Sequence, residues 1–261
     1  MHAEPGERPR RPTDRPTAVA AAATTAPLPP VRPTRRSMLQ ARVGRRLLRL
    51  IGGKLFRFTF DLDGLERVPP GEPLIVAAGP HRGWLDSFLL IMALPVTPRL
   101  YYLGSAEAMF NTWWKRRLLG LFGGVVPVST LGQLNREGLE TSLAILAGGN
   151  SLGVFPEGAG QIDHAESELG PLKRGVAFLS QRSGRRVLPV GLAGTRRLWR
   201  GKTVALRVGP PLAAVTPGAG RTEQQASVDQ LAAAIQAVIP ALAPPPPNER
   251  RRWQWLTRML G

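Results

Sequence analysis

Cysteine is absent from this chain and histidine nearly so, with three in 261 residues. Without thiols there is no disulfide framework, no thiolate nucleophile and no cysteine-bound metal. His2, His81 and His164 lie far apart, and the carboxylates around them lack ligand spacing, so no metal site is expected. A bilayer-spanning helix needs about 20 predominantly apolar residues. The longest uncharged stretch, Leu118–Leu134, is broken by Gly120, Gly123, Gly124, Pro127, Ser129 and Thr130, so nothing is expected to cross a membrane. Acidic side chains are scarce, 18 against 35 Lys and Arg, for a net charge of +17.

That charge sits at the ends. Residues 1–57 carry thirteen basic and three acidic side chains, and residues 249–261 carry four and one, whereas the long stretch 58–248 is nearly balanced at eighteen and fourteen. Basic ends around a near-neutral centre suit an anionic partner, either a membrane surface or nucleic acid. Residues 1–37, rich in Pro, Arg, Ala and Thr, cannot bury enough surface to offset their ordering entropy, and a disordered basic tail is expected there. Residues 38–55 read as an amphipathic helix. Arg42, Arg45, Arg46 and Arg49 recur at helical spacing opposite Val43, Leu47, Leu50 and Ile51, and Gly52-Gly53 ends the run. Apolar side chains in the acyl boundary and arginines among anionic headgroups make this an interfacial helix. At the other end, residues 243–261 join the stiff spacer Pro244–Pro247 to Arg250–Arg252, Trp253 and Trp255, a small aromatic anchor for the headgroup level.

Residues 56–242 alternate between the two periods. Strands are expected at Phe56–Leu62, Leu74–Ala78, Arg99–Leu103, Gly124–Val128, Ser151–Phe155, Val187–Leu192 and Val204–Val208. Helices are expected at Leu85–Leu94, Glu107–Phe122, Leu134–Ala147, Lys173–Gln181 and Glu223–Ile239. The pattern predicts an α/β domain with a mostly parallel central sheet flanked by helices. In such sheets sites form at the carboxyl ends of strands. His81, Pro127, Phe155–Gly158 and Ala193–Thr195 all follow or end strands, and they are expected to converge.

The stretch Ala77–Leu90, AAGPHRGWLDSFLL, carries the chemistry. A histidine and an aspartate five apart would lie about 140° apart on an ideal helix, so they cannot share a helical face. His81 is therefore placed in the turn. Gly83 lets the chain bend, and Asp86 in the first helical turn points back at one ring nitrogen, leaving the other as a base for a hydroxyl.

Three further blocks follow: GGVVPVS at Gly123–Ser129, GVFPEGAG at Gly153–Gly160 and VLPVGLAGT at Val187–Thr195. Four blocks in this order, spanning Phe58 to Pro211, resemble the phospholipid/glycerol acyltransferases. The resemblance implies an enzyme moving a fatty acyl group from acyl-CoA or acyl carrier protein to a hydroxyl of a lysophospholipid or glycerol phosphate, with no bound cofactor. It implies His81 as the base, Asp86 as its partner and backbone N–H groups near the start of the following helix as oxyanion donors. Gly83, Pro127, Glu157 and Gly158 would shape the substrate site. The usual arginine after Phe-Pro-Glu-Gly is replaced by Gly160, the lysine expected two residues before Glu107 by Ser105, the arginine ending the second block by Ser129-Thr130, and the asparagine before the histidine by Pro80. Lys173, Arg174, Arg196 and Arg197 are the cations that would compensate. The expected partners are an anionic membrane surface at the cytoplasmic face, a lysolipid acceptor and the acyl donor. A nucleic-acid partner is not expected, since it leaves the interior blocks without a purpose.

Overall fold

The computed structural model describes residues 28–105, 113, 117, 119, 124–128, 136–158, 168–196 and 198–242. The expected tail at 1–27, the Pro-rich spacer with its aromatic end at 243–261, and nearly all of the expected helix Glu107–Phe122 lie outside the described residues.

Seven strands form one sheet: β1 (Thr59–Asp63), β2 (Ile75–Gly79), β3 (Leu100–Ser105), β4 (Val125–Val128), β5 (Ser151–Val154), β6 (Val187–Ala193) and β7 (Thr203–Val208), in the order β1-β7-β6-β2-β5-β3-β4. Five neighbouring strands run parallel. β7 lies antiparallel to β6, and β1 then runs parallel to β7, so this edge pair is reversed. The sheet is mostly parallel, as expected.

Side-chain alternation divides the core between the two faces of the sheet. Val76 and Ala78 of β2 join Leu89, Leu90 and Met92 of α2 (Trp84–Ala93) in one buried cluster. Ile75 and Ala77 face the other way, against Ile145 and Leu146 of α3 (Arg136–Ala147), Val176 and Leu179 of α4 (Gly175–Ser183), and Leu231 and Ile235 of α5 (Arg221–Val238). Every residue of β2 and β6 is buried, which is why both read as continuous apolar runs.

The basic helix differs from its expectation. It begins earlier, as α1 (Arg35–Leu50), because Thr34 caps it by accepting from the Ser37 N–H at 3.2 Å. It does not stop at Gly52-Gly53 but continues as a π turn over Ile51–Leu55, with Gly52 buried beneath the Phe60 ring. Its arginines do not share one free face. Arg45 turns inward and donates to Met92 O at 2.7 Å and Ala93 O at 3.1 Å, capping the C-terminus of α2. Burial, with Arg49 nearby, lowers the pKa of its guanidinium. What α1 exposes is a mixed face of Leu39, Val43 and Leu50 among Arg42, Arg46 and Arg49. Residues 28–34, assigned from sequence to the tail, are tied to α3: the Val31 N–H donates to Ala144 O at 3.0 Å, and Val31 O accepts from Asn150 Nδ2 at 2.6 Å.

Candidate active site

β2 ends at Gly79, and the chain turns through Pro80, His81 and Arg82 before Gly83 opens α2. Asp86 is the third residue of that helix, where its carboxylate reaches back over the turn as in the acidic half of a capping box. Its Oδ2 accepts from the Gly83 N–H at 2.9 Å and the Arg82 N–H at 2.5 Å, and lies 2.8 Å from His81 Nδ1. Asp86 is fully buried, whereas the His81 ring keeps 20 % of its surface exposed. The turn thus fixes the imidazole by Nδ1 and leaves Nε2 as the nitrogen free to exchange a proton. The Arg82 and Gly83 amides, available on sequence grounds as oxyanion donors, are already committed to Asp86.

A second carboxylate reaches the same turn from the neighbouring strand. Glu157 follows β5, the strand beside β2, and its buried side chain accepts from the His81 N–H at 2.8 Å and the Gly170 N–H at 3.0 Å. Arg82 lies beside it, Nη1 at 3.6 Å from Glu157 Oε2, with side chains 1 % and 0 % exposed. The same guanidinium donates to His81 O at 3.1 Å and to Glu168 O at 2.5 Å. Asp86 therefore holds the His81 ring, Glu157 its backbone N–H and Arg82 its carbonyl. Arg82 was missed in the sequence reading. Its signal was an arginine set between a histidine and a glycine in a block otherwise apolar, with an unpaired glutamate in the block that follows β5. Phe155, expected to converge with His81 but given no role of its own, stacks on the His81 ring at a centroid distance of 3.9 Å and 13° between planes.

The other expected residues fall in three places. Gly158 closes the turn after β5 with φ of 87°, a conformation that favours glycine, and a Cβ there would land on the Lys173 ammonium. The Lys173 N–H donates to Pro156 O at 2.8 Å, so this exposed lysine and the β5 turn are one unit. Arg174 is exposed at the N-cap of α4. Pro127 sits on β4, opposite Gly104 of β3, at the sheet edge with β3 and β5 between it and β2. The blocks after β6, β2 and β5 are therefore neighbours at the carboxyl edge, while the block on β4 stands apart from them. Ser129, Thr130, Gly160 and Arg197 lie outside the described residues. Among the described residues no group of three His, Asp or Glu side chains is placed to hold a metal ion.

A family model described as Acyltransferase matches residues 59–193, from β1 to the end of β6. A chloroplastic 1-acyl-sn-glycerol-3-phosphate acyltransferase of Brassica napus is 26 % identical over 142 residues, covering 53 % of this chain and 38 % of the relative. One from Arabidopsis thaliana is 24 % identical over 142 residues, covering 54 % and 38 %. The match thus spans well under half the length of these curated relatives. The crystal structure of the 1-acyl-sn-glycerophosphate (LPA) acyltransferase PlsC from Thermotoga maritima superimposes with a TM-score of 0.55 at 19 % identity, covering 77 % of each chain, a likeness of fold.

Proposed function

Because this chain belongs to the acyltransferase family, which the match over residues 59–193 shows, we propose that it transfers a fatty acyl group from an acyl thioester to a lipid hydroxyl. The observation that carries the proposal is the buried Asp86 carboxylate 2.8 Å from Nδ1 of a partly exposed His81 at a strand end. In the reaction, His81 Nε2 removes the proton from the acceptor hydroxyl as that oxygen attacks the thioester carbonyl. Asp86 stabilises the imidazolium that forms, and base catalysis of this kind is worth about 10²–10⁴-fold. When the tetrahedral intermediate collapses, the C–S bond breaks and the imidazolium returns its proton to the departing thiolate. The products are an acylated lipid and a free thiol.

The donor in this reading is acyl-CoA or acyl carrier protein. The acceptor is a lysophospholipid or glycerol phosphate, in keeping with the names of the curated relatives. Lys173, beside Gly158 at the end of β5, and Arg174 next to it are the cations that would meet an acceptor phosphate, in place of the arginine missing at Gly160. Gly83, Glu157 and Gly158 act as shaping residues, with Glu157 working through the His81 backbone, whereas Pro127 on the edge strand stands apart from them. The acceptor comes from a membrane at its cytoplasmic face, met by the mixed face of α1 that carries Leu39, Val43 and Leu50 between arginines. Among the described residues no helix is long and apolar enough to cross a membrane.

The test is to incubate the protein with a labelled acyl thioester and a panel of lysolipids, then identify products by mass spectrometry. Acylated lipid from wild type and none from a folded His81→Ala variant is expected. Wild-type turnover by His81→Ala overturns the mechanism, and thiol release without acylated lipid makes the protein a thioester hydrolase instead.

A further inference from the structure

Packing behind His81 extends the site inward to a residue in none of the four blocks. Phe155 stacks on the imidazole, and the Tyr102 ring of β3 stacks on Phe155 in turn, at 6.0 Å and 14°. Tyr102 is 4 % exposed and belongs to the cluster that α2 closes with Leu89 and Leu90. Asp86 lies three and four residues before that pair, on the same inward face of α2. Phenol and carboxylate thus enter one buried region, from the sheet and from the helix. The local sequence keeps the ring in place: Tyr102 pairs with Gly153 of β5, and a Cβ at Gly153 would collide with the ring.

Among the buried polar atoms with no hydrogen-bond partner among the described residues are the Tyr102 hydroxyl and Asp86 Oδ1, both in this region. The other carboxylate oxygen serves three contacts, to His81 Nδ1 and the Arg82 and Gly83 amides. A phenol has a proton to give and an ionised carboxylate can only accept, so the two bare atoms are complementary. Burial, and after it the charge of Asp86, pushes the Tyr102 pKa well above its ordinary value, which keeps the phenol a donor at working pH. Buried polar atoms that cannot meet directly are commonly joined by one ordered water.

We propose that the Tyr102 hydroxyl donates to Asp86 Oδ1 through a single bound water, forming a His81–Asp86–Tyr102 relay in which Tyr102 is a positioning residue for acyl transfer. The role in transfer rests on His81 being the base; the relay itself does not. With the phenol dipole aimed at it, Asp86 is a weaker partner for an imidazolium. Remove the dipole and the His81 ring should keep its proton to higher pH, while the carboxylate loses one point of anchorage. Among the described residues, the other charged groups bonded to the turn are Arg82 and Glu157.

The experiment is histidine-labelled NMR on the full chain, where only His2, His81 and His164 titrate, comparing wild type with Tyr102→Phe and Tyr101→Phe. Tyr101 is the neighbouring buried tyrosine, packed in the cluster on the opposite face, and serves as control. The expected result is that the His81 titration midpoint moves up in Tyr102→Phe relative to wild type. Turnover should fall about tenfold, the loss of a hydrogen bond to a charged group, at unchanged KM for the thioester. Tyr101→Phe should leave the imidazole where it is. A Tyr102→Phe protein whose His81 titrates as in wild type overturns the proposal, as does one that merely melts higher, since that is the signature of an orphan hydroxyl removed from a core. If Tyr102→Phe does not fold, ¹H NMR of wild type decides: a slowly exchanging Tyr102 hydroxyl proton that cross-relaxes with a long-lived water supports the relay, and its absence overturns it. A shifted imidazole in a protein that acylates no lipid would support the relay and refute the proposed function.

Discussion

Replacing Glu157 by leucine tests whether His81, the proposed base, is held by its backbone as well as by its ring. The carboxylate is fully buried and accepts two backbone N–H groups, from His81 at 2.8 Å and Gly170 at 3.0 Å. Hydrogen bonds to a charged group are worth about 1.5–3 kcal/mol each. Arg82, 1 % exposed, would be left without its carboxylate, and breaking a buried pair from one side costs about 3–5 kcal/mol. The two costs describe overlapping interactions and do not add, so the cost of breaking the pair, about 3–5 kcal/mol, is the working figure. At about 2–4 °C per kcal/mol for a domain of this size, the melting temperature should fall by roughly 6–20 °C. Because Arg82 also donates to the carbonyls of His81 and Glu168, it stays in place when the Glu157 carboxylate is lost. The double variant Glu157→Leu with Arg82→Met removes both charges together and should melt above the single variant. Thermal melts of the three proteins supply the answer, with turnover measured well below the lowest melt. A Glu157→Leu protein melting within two or so degrees of wild type, or a double variant melting below the single, refutes the reasoning.

Asp86→Asn keeps the size of the side chain but removes the charge that balances an imidazolium; turnover should fall by a hundredfold or more with little change in KM for the thioester, read from steady-state kinetics. Lys173→Ala should weaken lysophosphatidate more than a lysolipid lacking the terminal phosphate, by about ten- to a hundredfold in catalytic efficiency, since a phosphate leaving water needs charge-assisted partners. An unchanged acceptor ratio would return that lysine to the solvated surface, and Gly160→Arg would then be the variant to raise the preference. Cosedimentation with anionic vesicles should weaken as salt rises past about 0.15 M, where the Debye length is about 8 Å, and weaken further in Leu39→Glu with Val43→Glu. Equal binding by all forms at all salt would assign α1 to packing alone.

The central strands were legible because burial on both faces writes a continuous apolar run, as in Ile75–Gly79 and Val187–Ala193. The turn placing His81 off the helix followed from spacing alone, since five residues cannot bring two side chains to one helical face. Less legible was anything set by a partner distant in sequence. Arg45 has the spacing of a headgroup arginine, and only the carbonyls of Met92 and Ala93, 47 and 48 residues away, turn it inward. Arg82 and Glu157 are 75 positions apart, and neither strand's pattern shows that β2 and β5 will be neighbours. The block around Pro127 was expected beside the others because it too ends a strand. Strand order is decided by how helices cross the sheet, and it puts β4 at the edge.

Those same carbonyls tie surface to chemistry. α2 has Asp86 in its first turn and the acceptors of Arg45 in its last, so a rod of 10 residues, about 15 Å long at 1.5 Å per residue, links the proposed catalytic pair to α1. The exposed face of α1 is thereby held at a fixed distance from His81, through a charged contact to two carbonyls and the packing of Leu48 against the cluster that α2 closes. An acceptor lipid whose chains stay in a bilayer can offer its hydroxyl only within a headgroup's reach of the surface, so a fixed spacing is what such a reaction requires. Arg45→Met keeps most of the apolar stem but removes both bonds to α2, and it should leave vesicle binding nearly intact while lowering turnover on vesicle-borne acceptor by several-fold. Turnover on a monomeric, short-chain acceptor should hardly change. Equal losses on both acceptors would mean that Arg45 serves only the stability of the fold, and that the spacing between helix and base is not what matters.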